Sequence, residues 1–320
     1  MKRIKKPSIL VVGSSNTDMI IKLERIPRPG ETLLGGSFHV AAGGKGANQA
    51  VAAARAGGRV TFIARVGRDI FGNQAVAGFV REGINVRYVA RDRTSPSGVA
   101  LIFVAKDGQN SIAVASGANA KLSPADVRKA GAAFAATSVL LMQLETPLET
   151  VQAAAELAAK NGVRIILNPA PARQLPDRLL RRVWILTPNE TEAELLTGAR
   201  GEEAASKLRS RGVSTVVLTL GERGALIADA SGTRVVPAFK VKALDTTAAG
   251  DIFNGALAVS LSEGKPLDAA VRFANAAAAI SVTRLGAQPS APTRREIEQF
   301  LARRLHSVMW VCSESVPNGS

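Results

Sequence analysis

The run Asp245-Thr-Thr-Ala-Ala-Gly-Asp251 places two carboxylates around small residues, and the apolar-periodic stretch Ile252 to Leu261 follows it. Small residues leading directly into a helix leave its first N–H groups unpaired and pointing one way. The helix dipole adds partial positive charge at the same point. Such a start accepts an anion, and small side chains let a phosphate approach the backbone. Ala248, Ala249 and Gly250 would form this anion hole, with Asp251 in the first helical turn beside it. A carboxylate there can take a proton from an attacking hydroxyl while the amides stabilise charge on a phosphoryl group. The helix dipole alone would also favour an acid at that position, with no chemistry attached.

Other residues add candidates. Gly43-Gly-Lys-Gly-Ala-Asn48 opens a second helix but lacks the Gly-Lys-Ser/Thr ending of a Walker loop. Its glycines can bring backbone amides to a small polar ligand, with further hydrogen bonds from Lys45 and Asn48, or can simply turn the chain into the helix. The lone Gly13 after the first strand is no dinucleotide fingerprint. Thr219-Leu-Gly-Glu-Arg-Gly224 reads as a backbone loop against a nucleotide or as a plain strand–turn–strand. Glu145 ends the apolar run Val139-Leu-Leu-Met-Gln-Leu144, where a parallel sheet would present it to a ligand crevice as an acceptor for sugar hydroxyls. Glu192, in Asn189-Glu-Thr-Glu192, is placed to organise Mg²⁺ through water or to cap a helix. The chain has two histidines, His39 and His306, neither within a motif, so general-base chemistry points to Asp, Glu or Lys.

These groups need a scaffold of 320 residues, 46% hydrophobic and 21% charged, which fits one large globular α/β domain with a small accessory unit. The formal net charge is +15, but the basic residues are scattered and no aromatic-flanked basic stripe occurs, so neither nucleic acid nor a membrane is expected as partner. The run Lys2-Arg3-Ile4-Lys5-Lys6 reads as a solvated tail. The single cysteine, Cys312, excludes a disulfide framework or a Cys-based zinc site within the chain and fits a reducing cytoplasm. The apolar run Ile9-Leu-Val-Val12 is too short for a signal-peptide core, and no run reaches membrane-spanning length.

Ile9 to Val12 predicts a buried central strand. Strands alternate with helices from about residue 122: helix Pro124 to Ala136, strand Val139 to Met142, helix Leu148 to Asn161, strand Arg164 to Leu167, strand Trp184 to Thr187, helices Thr191 to Thr197 and Glu202 to Arg211, strand Thr215 to Thr219. That alternation predicts a doubly wound, mostly parallel sheet. Two segments break it. Asp18 to Leu23 with Glu31 to Val40, around Pro27-Arg-Pro-Gly30, and Val99 to Val104 with Ser111 to Val114, around Asp107-Gly108, read as antiparallel pairs. They are expected to combine into a small β lid over the crevice, covering about 16–40 and 97–115. The main domain is expected to end at residue 306, with an irregular tail over 307–320.

The two glycine-containing runs, Gly43-Gly-Lys-Gly-Ala-Asn-Gln-Ala50 and Asp245 to Gly255, occur in the order of the two signatures of the PfkB-type carbohydrate kinases, which the chain resembles from about Ile9 to Leu305. Met142 to Glu145, Asn168 to Ala172, Thr187 to Glu192 and Gly286 to Ser290 are similar to family members acting on ribose. The resemblance implies transfer of a phosphoryl group from MgATP to O5 of D-ribose. It implies Asp251 as base, residues 248–251 as anion hole, and Asn16, Thr17, Asp18, Gly44, Lys45, Gly46, Ala47, Asn48 and Glu145 as sugar-binding positions. It maps the nucleotide to Asn189, Thr219, Leu220, Gly221, Glu222, Arg223, Gly224 and Asn275, the last often His in such relatives. A K⁺ site maps to Asp245, Thr247, Ser281, Arg284, Gly286 and Ser290. A homodimer through the lids is implied as well. Within the family, deoxyribose, fructose, a nucleoside or a sugar phosphate are alternative acceptors. Two carboxylates, Asp18 and Glu145, favour a neutral polyol over a phosphorylated one. A non-catalytic sugar or nucleotide sensor and a nucleic-acid binder are readings from other classes.

Overall fold

The computed structural model describes residues 8–313, with side chains through residue 304; the basic run at residues 2–6 and the end of the tail, 314–320, lie outside the described residues. A nine-stranded sheet forms the body. Its strands are β1 (Ser8–Val12), β4 (Arg59–Gly67), β5 (Asn85–Asp92), β8 (Val139–Met142), β9 (Arg164–Leu167), β10 (Ile185–Leu186), β11 (Thr215–Thr219), β12 (Ala225–Asp229) and β13 (Gly232–Val236). They lie in the order β13-β12-β11-β10-β9-β8-β1-β4-β5. Only β12 runs antiparallel to its neighbours, β11 and β13. A separate four-stranded sheet has the order β3-β2-β6-β7, built from β2 (Asn16–Leu23), β3 (Ser37–Gly43), β6 (Gly98–Ala105) and β7 (Asn110–Ala115).

The helices are α1 (Lys45–Arg55), α2 (Ile70–Arg81), α3 (Pro124–Lys129), α4 (Gly131–Ala135), α5 (Leu148–Lys160), α6 (Asp177–Leu180), α7 (Glu190–Thr197), α8 (Gly201–Ser210), α9 (Ala249–Ser262), α10 (Leu267–Ser281) and α11 (Arg294–Ser313). Side chains alternate across the central strands. Ile9, Val11, Val139 and Leu141 pack against α1, α9 and α10. Leu10, Val12, Leu140 and Met142 pack against α3, α5 and α8 on the other face. Both faces are therefore dry, which is why these strands read as continuous apolar runs.

The doubly wound sheet matches the expectation, with local differences. The single helix expected over 124–136 is two short helices, because Ala130 leaves helical geometry ahead of Gly131. The second lid strand begins at Ser37 rather than Glu31 and runs on to Gly43. The two lid hairpins are antiparallel, but they join through a parallel pairing of β2 with β6. The backbone of α11 continues past residue 306 to Ser313.

Helices α1 and α9 approach closely because Gly255 faces Ala52 and Ala53. A Cβ on Gly255 would stand 2.6 Å from the Ala52 Cβ and 2.7 Å from Ala53 N. One turn before Gly255 on α9 comes Asp251, and one turn before Ala52 and Ala53 on α1 come Asn48 and Gln49. The small-residue crossing thus brings these side chains into contact.

Candidate active site

Strand ends β1, β8, β9, β10 and β11 open onto one cleft of about 320 Å³, roofed by the lid. This is the crevice at the carboxyl ends of a doubly wound sheet, at the point where the chain turns back across β1. Asn16, Asp18, Gly44, Lys45, Asn48 and Glu145 line it on the lid side, Asn189, Glu192 and Thr219 on the other, and Thr247 to Asp251 between them.

The two helix starts at the cleft differ. At α1, the Lys45 N–H donates to Glu145 Oε2 at 2.9 Å, the Gly46 N–H to Ser14 Oγ at 3.2 Å and the Ala47 N–H to Ser14 O at 2.8 Å. Ser14 Oγ also donates to Glu145. This start already holds an anion, the Glu145 carboxylate, so of the two readings left open for the glycine run the amides of Lys45, Gly46 and Ala47 follow the structural one. Gly46 is needed for packing instead: a Cβ there would lie 2.4 Å from Ser14 N.

At α9, the cap residue Ala248 has φ 59° and makes no side-chain capping bond. This left-handed backbone is uncommon for a residue with a Cβ, and it turns the chain so that the first amides face the cleft. The Ala249 N–H bonds back to Thr246 O at 3.2 Å. The N–H groups of Gly250 and Asp251 find no acceptor among the described residues. Two donors at a positive helix end can accept an anion.

The Asp251 carboxylate is 6% exposed. Its Oδ2 accepts from Asn48 Nδ2 at 3.0 Å and its Oδ1 from Gln49 Nε2 at 2.9 Å. Burial pushes its pKa above the usual carboxylate range, against the pull of Lys45, Asn48 and Gln49. Lys45 is held above its ordinary value: burial opposes its charge, but Asp251, Glu145 and Glu192 outweigh burial. Burial also raises Glu192, with Asp251 adding to the rise, against the Asn189 N–H and Lys45. Among the lining residues four carboxylates thus face one ammonium.

Not every expected residue reaches the cleft. Thr17 lies between Asn16 and Asp18, and strand alternation turns it to the opposite face of β2. Of the segment 219–224 only Thr219 lines the cleft; Gly221–Arg223 forms a turn whose Arg223 pairs with Glu190. Asn275 lies in α10 and donates to Val236 O and Pro237 O at 3.1 and 3.2 Å, tying α10 to the end of β13. Asp245 lies behind the anion hole, accepting from Thr247 N and Gly286 N at 2.8 Å each. Buriedness opposes ionisation of Asp245, but these bonds keep its pKa below the usual range. Ser281 Oγ and Ser290 Oγ donate to Ala278 O and Ala287 O, and Arg284 pairs with Glu296. Among the described residues no three His, Cys, Asp or Glu side chains cluster as a metal cage. Asn119, Gln143, Asn168, Thr187 and Asn254, all buried around the cleft, were not singled out as site residues. All of these but Asn119 stand within family-like stretches and could have been found there.

Asp18 yields a test. Burial, then the charges of Glu145 and Asp251, raise its pKa from 3.8 to about 6. The folded state therefore binds this proton more tightly than the unfolded chain, and stability contributed by Asp18 is lost as pH rises from about 4 to 6. The full shift is worth about 3 kcal/mol, and relaxation reduces that. Asp18→Asn should stabilise the fold by about 1–2 kcal/mol at pH 8, and the gain should vanish near pH 4; denaturant titrations at both pH values would measure it.

The comparisons with known proteins agree with this geometry. Residues 6–294 match the model of the pfkB family carbohydrate kinases. A ribokinase of Haemophilus influenzae is 48% identical over 302 residues, covering 92% of this chain and 99% of that protein. A deoxyribokinase of Salmonella typhi is 39% identical over 301 residues, covering 92% and 98%. The solved structure of Arabidopsis thaliana ribokinase with ribose and ATP superposes with a TM-score of 0.85 at 34% identity, covering 92% of this chain and 99% of that one. With its sheet, lid and cleft arranged as described, the chain belongs to the pfkB family of carbohydrate kinases.

Proposed function

We propose that this protein phosphorylates D-ribose at O5 with ATP, giving D-ribose 5-phosphate and ADP. The observation that carries the reading is the pairing of a buried, doubly hydrogen-bonded Asp251 with the open amides of Gly250 and Asp251. The similarity to ribokinases at up to 48% identity supports ribose as the sugar. O5 attacks the γ-phosphorus, its proton passes to Asp251, the bond from phosphorus to the β–γ bridging oxygen breaks, and ADP leaves. The open amides stabilise charge on the phosphoryl oxygens as it moves. Asn16, Asp18, Lys45, Asn48 and Glu145 hold the sugar, and Asn189, Thr219 and the turn that follows lie on the nucleotide side. The Asn48 Oδ1 is buried without a partner, so it awaits a donor such as a sugar hydroxyl.

The surplus of carboxylates suits a neutral polyol and a nucleotide that arrives with a divalent cation. Mg²⁺ is the proposed ion: it would neutralise phosphate charge, and Glu192 would hold it through water. Glu192 already accepts from Asn189 N at 2.9 Å, which fits an outer role better than direct ligation. Ribose should turn over faster than 2-deoxyribose or fructose in an ATP-coupled assay; the likeness to a deoxyribokinase makes 2-deoxyribose the main alternative. Asp251→Asn should bind ribose yet lose about 10²–10⁴-fold in turnover. Near-normal turnover would exclude Asp251 as the base.

A K⁺ site is proposed behind the anion hole. One carboxylate, Asp245, and hydroxyls and carbonyls at Thr247, Ser281, Arg284, Gly286 and Ser290 suit a monovalent rather than a transition-metal ion. K⁺ there would order the loop that carries Ala248. Turnover should be faster in potassium than in a bulky organic cation at equal ionic strength, and equal rates would remove the site.

The homodimer is also proposed through the lids. Cross-strand register puts Phe38, Val40 and Leu101 on the lid face turned away from the cleft, and they are 61%, 51% and 47% exposed. A second copy would cover them. Sedimentation should give a dimer and Phe38→Glu a monomer; a monomeric parent protein would end this reading. We take the compartment to be the cytoplasm, where ATP is supplied and a lone cysteine stays reduced. Among the described residues no helix is long and apolar enough to cross a membrane.

A further inference from the structure

The proposed sugar and nucleotide contacts leave one buried polar chain unused. Gln49 in α1 is fully buried and does not line the cleft, so it is placed to touch neither ligand. Its Nε2 donates to Asp251 Oδ1 at 2.9 Å and to Asn168 Oδ1 at 3.1 Å. Asn168 Nδ2 donates to Thr187 O at 3.0 Å, and Thr187 Oγ1 donates to Asn254 Oδ1 at 2.6 Å. Asn254 Nδ2 then donates to Gly250 O at 2.8 Å, the carbonyl of the peptide that carries the Asp251 N–H. The chain starts on the Asp251 side chain and returns to the Asp251 backbone.

Its polarity is set by two backbone carbonyls. An amide can face either way, but Thr187 O and Gly250 O can only accept. Thr187 O therefore takes the Asn168 Nδ2, which turns Asn168 Oδ1 toward Gln49. Gln49 must answer with its NH₂, and that same group faces Asp251. On the far side Gln49 Oε1 accepts from Gln143 Nε2, which is consistent with the same orientation. Gln49 is thus held as a donor to the carboxylate and cannot serve as an acceptor for its proton.

We propose that Gln49 is a positioning residue for the base: its donor fixes the Asp251 carboxylate in one orientation and favours the ionised form, while the ring through Asn168, Thr187 and Asn254 ties that carboxylate to the peptide of the anion hole. Several charged groups bear on Asp251: Lys45 from α1, Glu145 after β8, Asp18 from β2 and Glu192 from α7. Only Lys45 among them favours the charged form. Asn48 is the other neutral donor, and it is also proposed to meet the sugar. Gln49 is the donor to the carboxylate that is not proposed to meet a ligand.

The inference rests on Asp251 acting as the base, and the experiment separates the two. The pH dependence of kcat/KM for ribose is measured with saturating MgATP for the parent protein, Gln49→Met, Gln49→Glu and Asp251→Asn. Gln49→Met keeps length and removes the donor. Its acid limb should move up by about one pH unit, so turnover should fall about tenfold at pH values on that limb and the loss should shrink toward alkaline pH. KM for both substrates should stay within about threefold of the parent. Gln49→Glu, nearly isosteric, should shift the limb further, because a second carboxyl faces Asp251. Whichever of the two variants retains the parent's circular dichroism carries the test. A limb that stays in place, whether or not turnover falls, overturns the positioning role. If Asp251→Asn keeps its turnover, the base assignment fails first and the role of Gln49 falls with it.

Discussion

The close crossing of α1 and α9 is the constraint on which the site depends. Gly255 against Ala52 and Ala53 lets two helix backbones nearly touch. One turn earlier on each helix, the same geometry drives a carboxylate into two carboxamides. Few other arrangements would tolerate Asp251 at its depth. A buried carboxylate without partners would take up a proton and could not act as a base at neutral pH. With donors from Asn48 and Gln49 and the field of Lys45, its charge has compensation. A larger residue at 255 would separate the helices, and the charge would lose its partners together with its position.

The two helix starts divide the labour of binding negative charge. Helix α1 is filled by the protein's own anion, Glu145, fixed by Ser14 and the Lys45 amide. That bond anchors the end of β8 to the end of β1 and gives the cleft a rigid floor. Helix α9 is left open by a cap residue that cannot cap. Similar sequence features, a small-residue run entering a helix, thus end differently: one closes a structural contact, the other leaves two backbone donors at the cleft. Asp18 feels its place in this cleft: burial first, then the charges of Glu145 and Asp251, raise its pKa.

Much of this was legible in the sequence. Ile9 to Val12 had to be central because a strand apolar at every position needs cover on both faces. Asp251 was legible because small residues ahead of a helix leave amides open. The lid appeared as two interruptions in the alternation of strand and helix. What the sequence could not show was which amides are free. The runs at Gly43 and Asp245 look alike until Ser14 and Glu145, far apart in the chain, are seen to occupy one of them. Thr17 was carried along with its neighbours, although period-two alternation assigns it to the other face. Gln49 and Asn254 stand inside the two signature runs, but their partners were hidden for a different reason. A Gln or Asn inside an apolar-periodic helix carries no local signal of its partner, and their partners come from β9, β10 and the other helix.

The lid is joined to the body by the same device that orients the base. Asn119, buried below the lid, accepts from Ser15 N at 2.9 Å through Oδ1. That backbone donor leaves its Nδ2 to donate to Ser15 O at 3.1 Å and to Asn16 Oδ1 at 2.7 Å. The Asn16 carboxamide is thereby turned so that Nδ2 is the donor it brings to the cleft. Gly98 is required beside it, since a Cβ there would stand 2.2 Å from Asn119 Nδ2 and 2.3 Å from Asn16 Oδ1. In both places a backbone group of fixed polarity orients one carboxamide, and that one orients the next. A carboxamide is free to choose its direction only once, so a buried chain of them carries a direction from the scaffold to the ligand surface. The acceptor at Asp251 and the donor at Asn16 are both set in this way within one cleft.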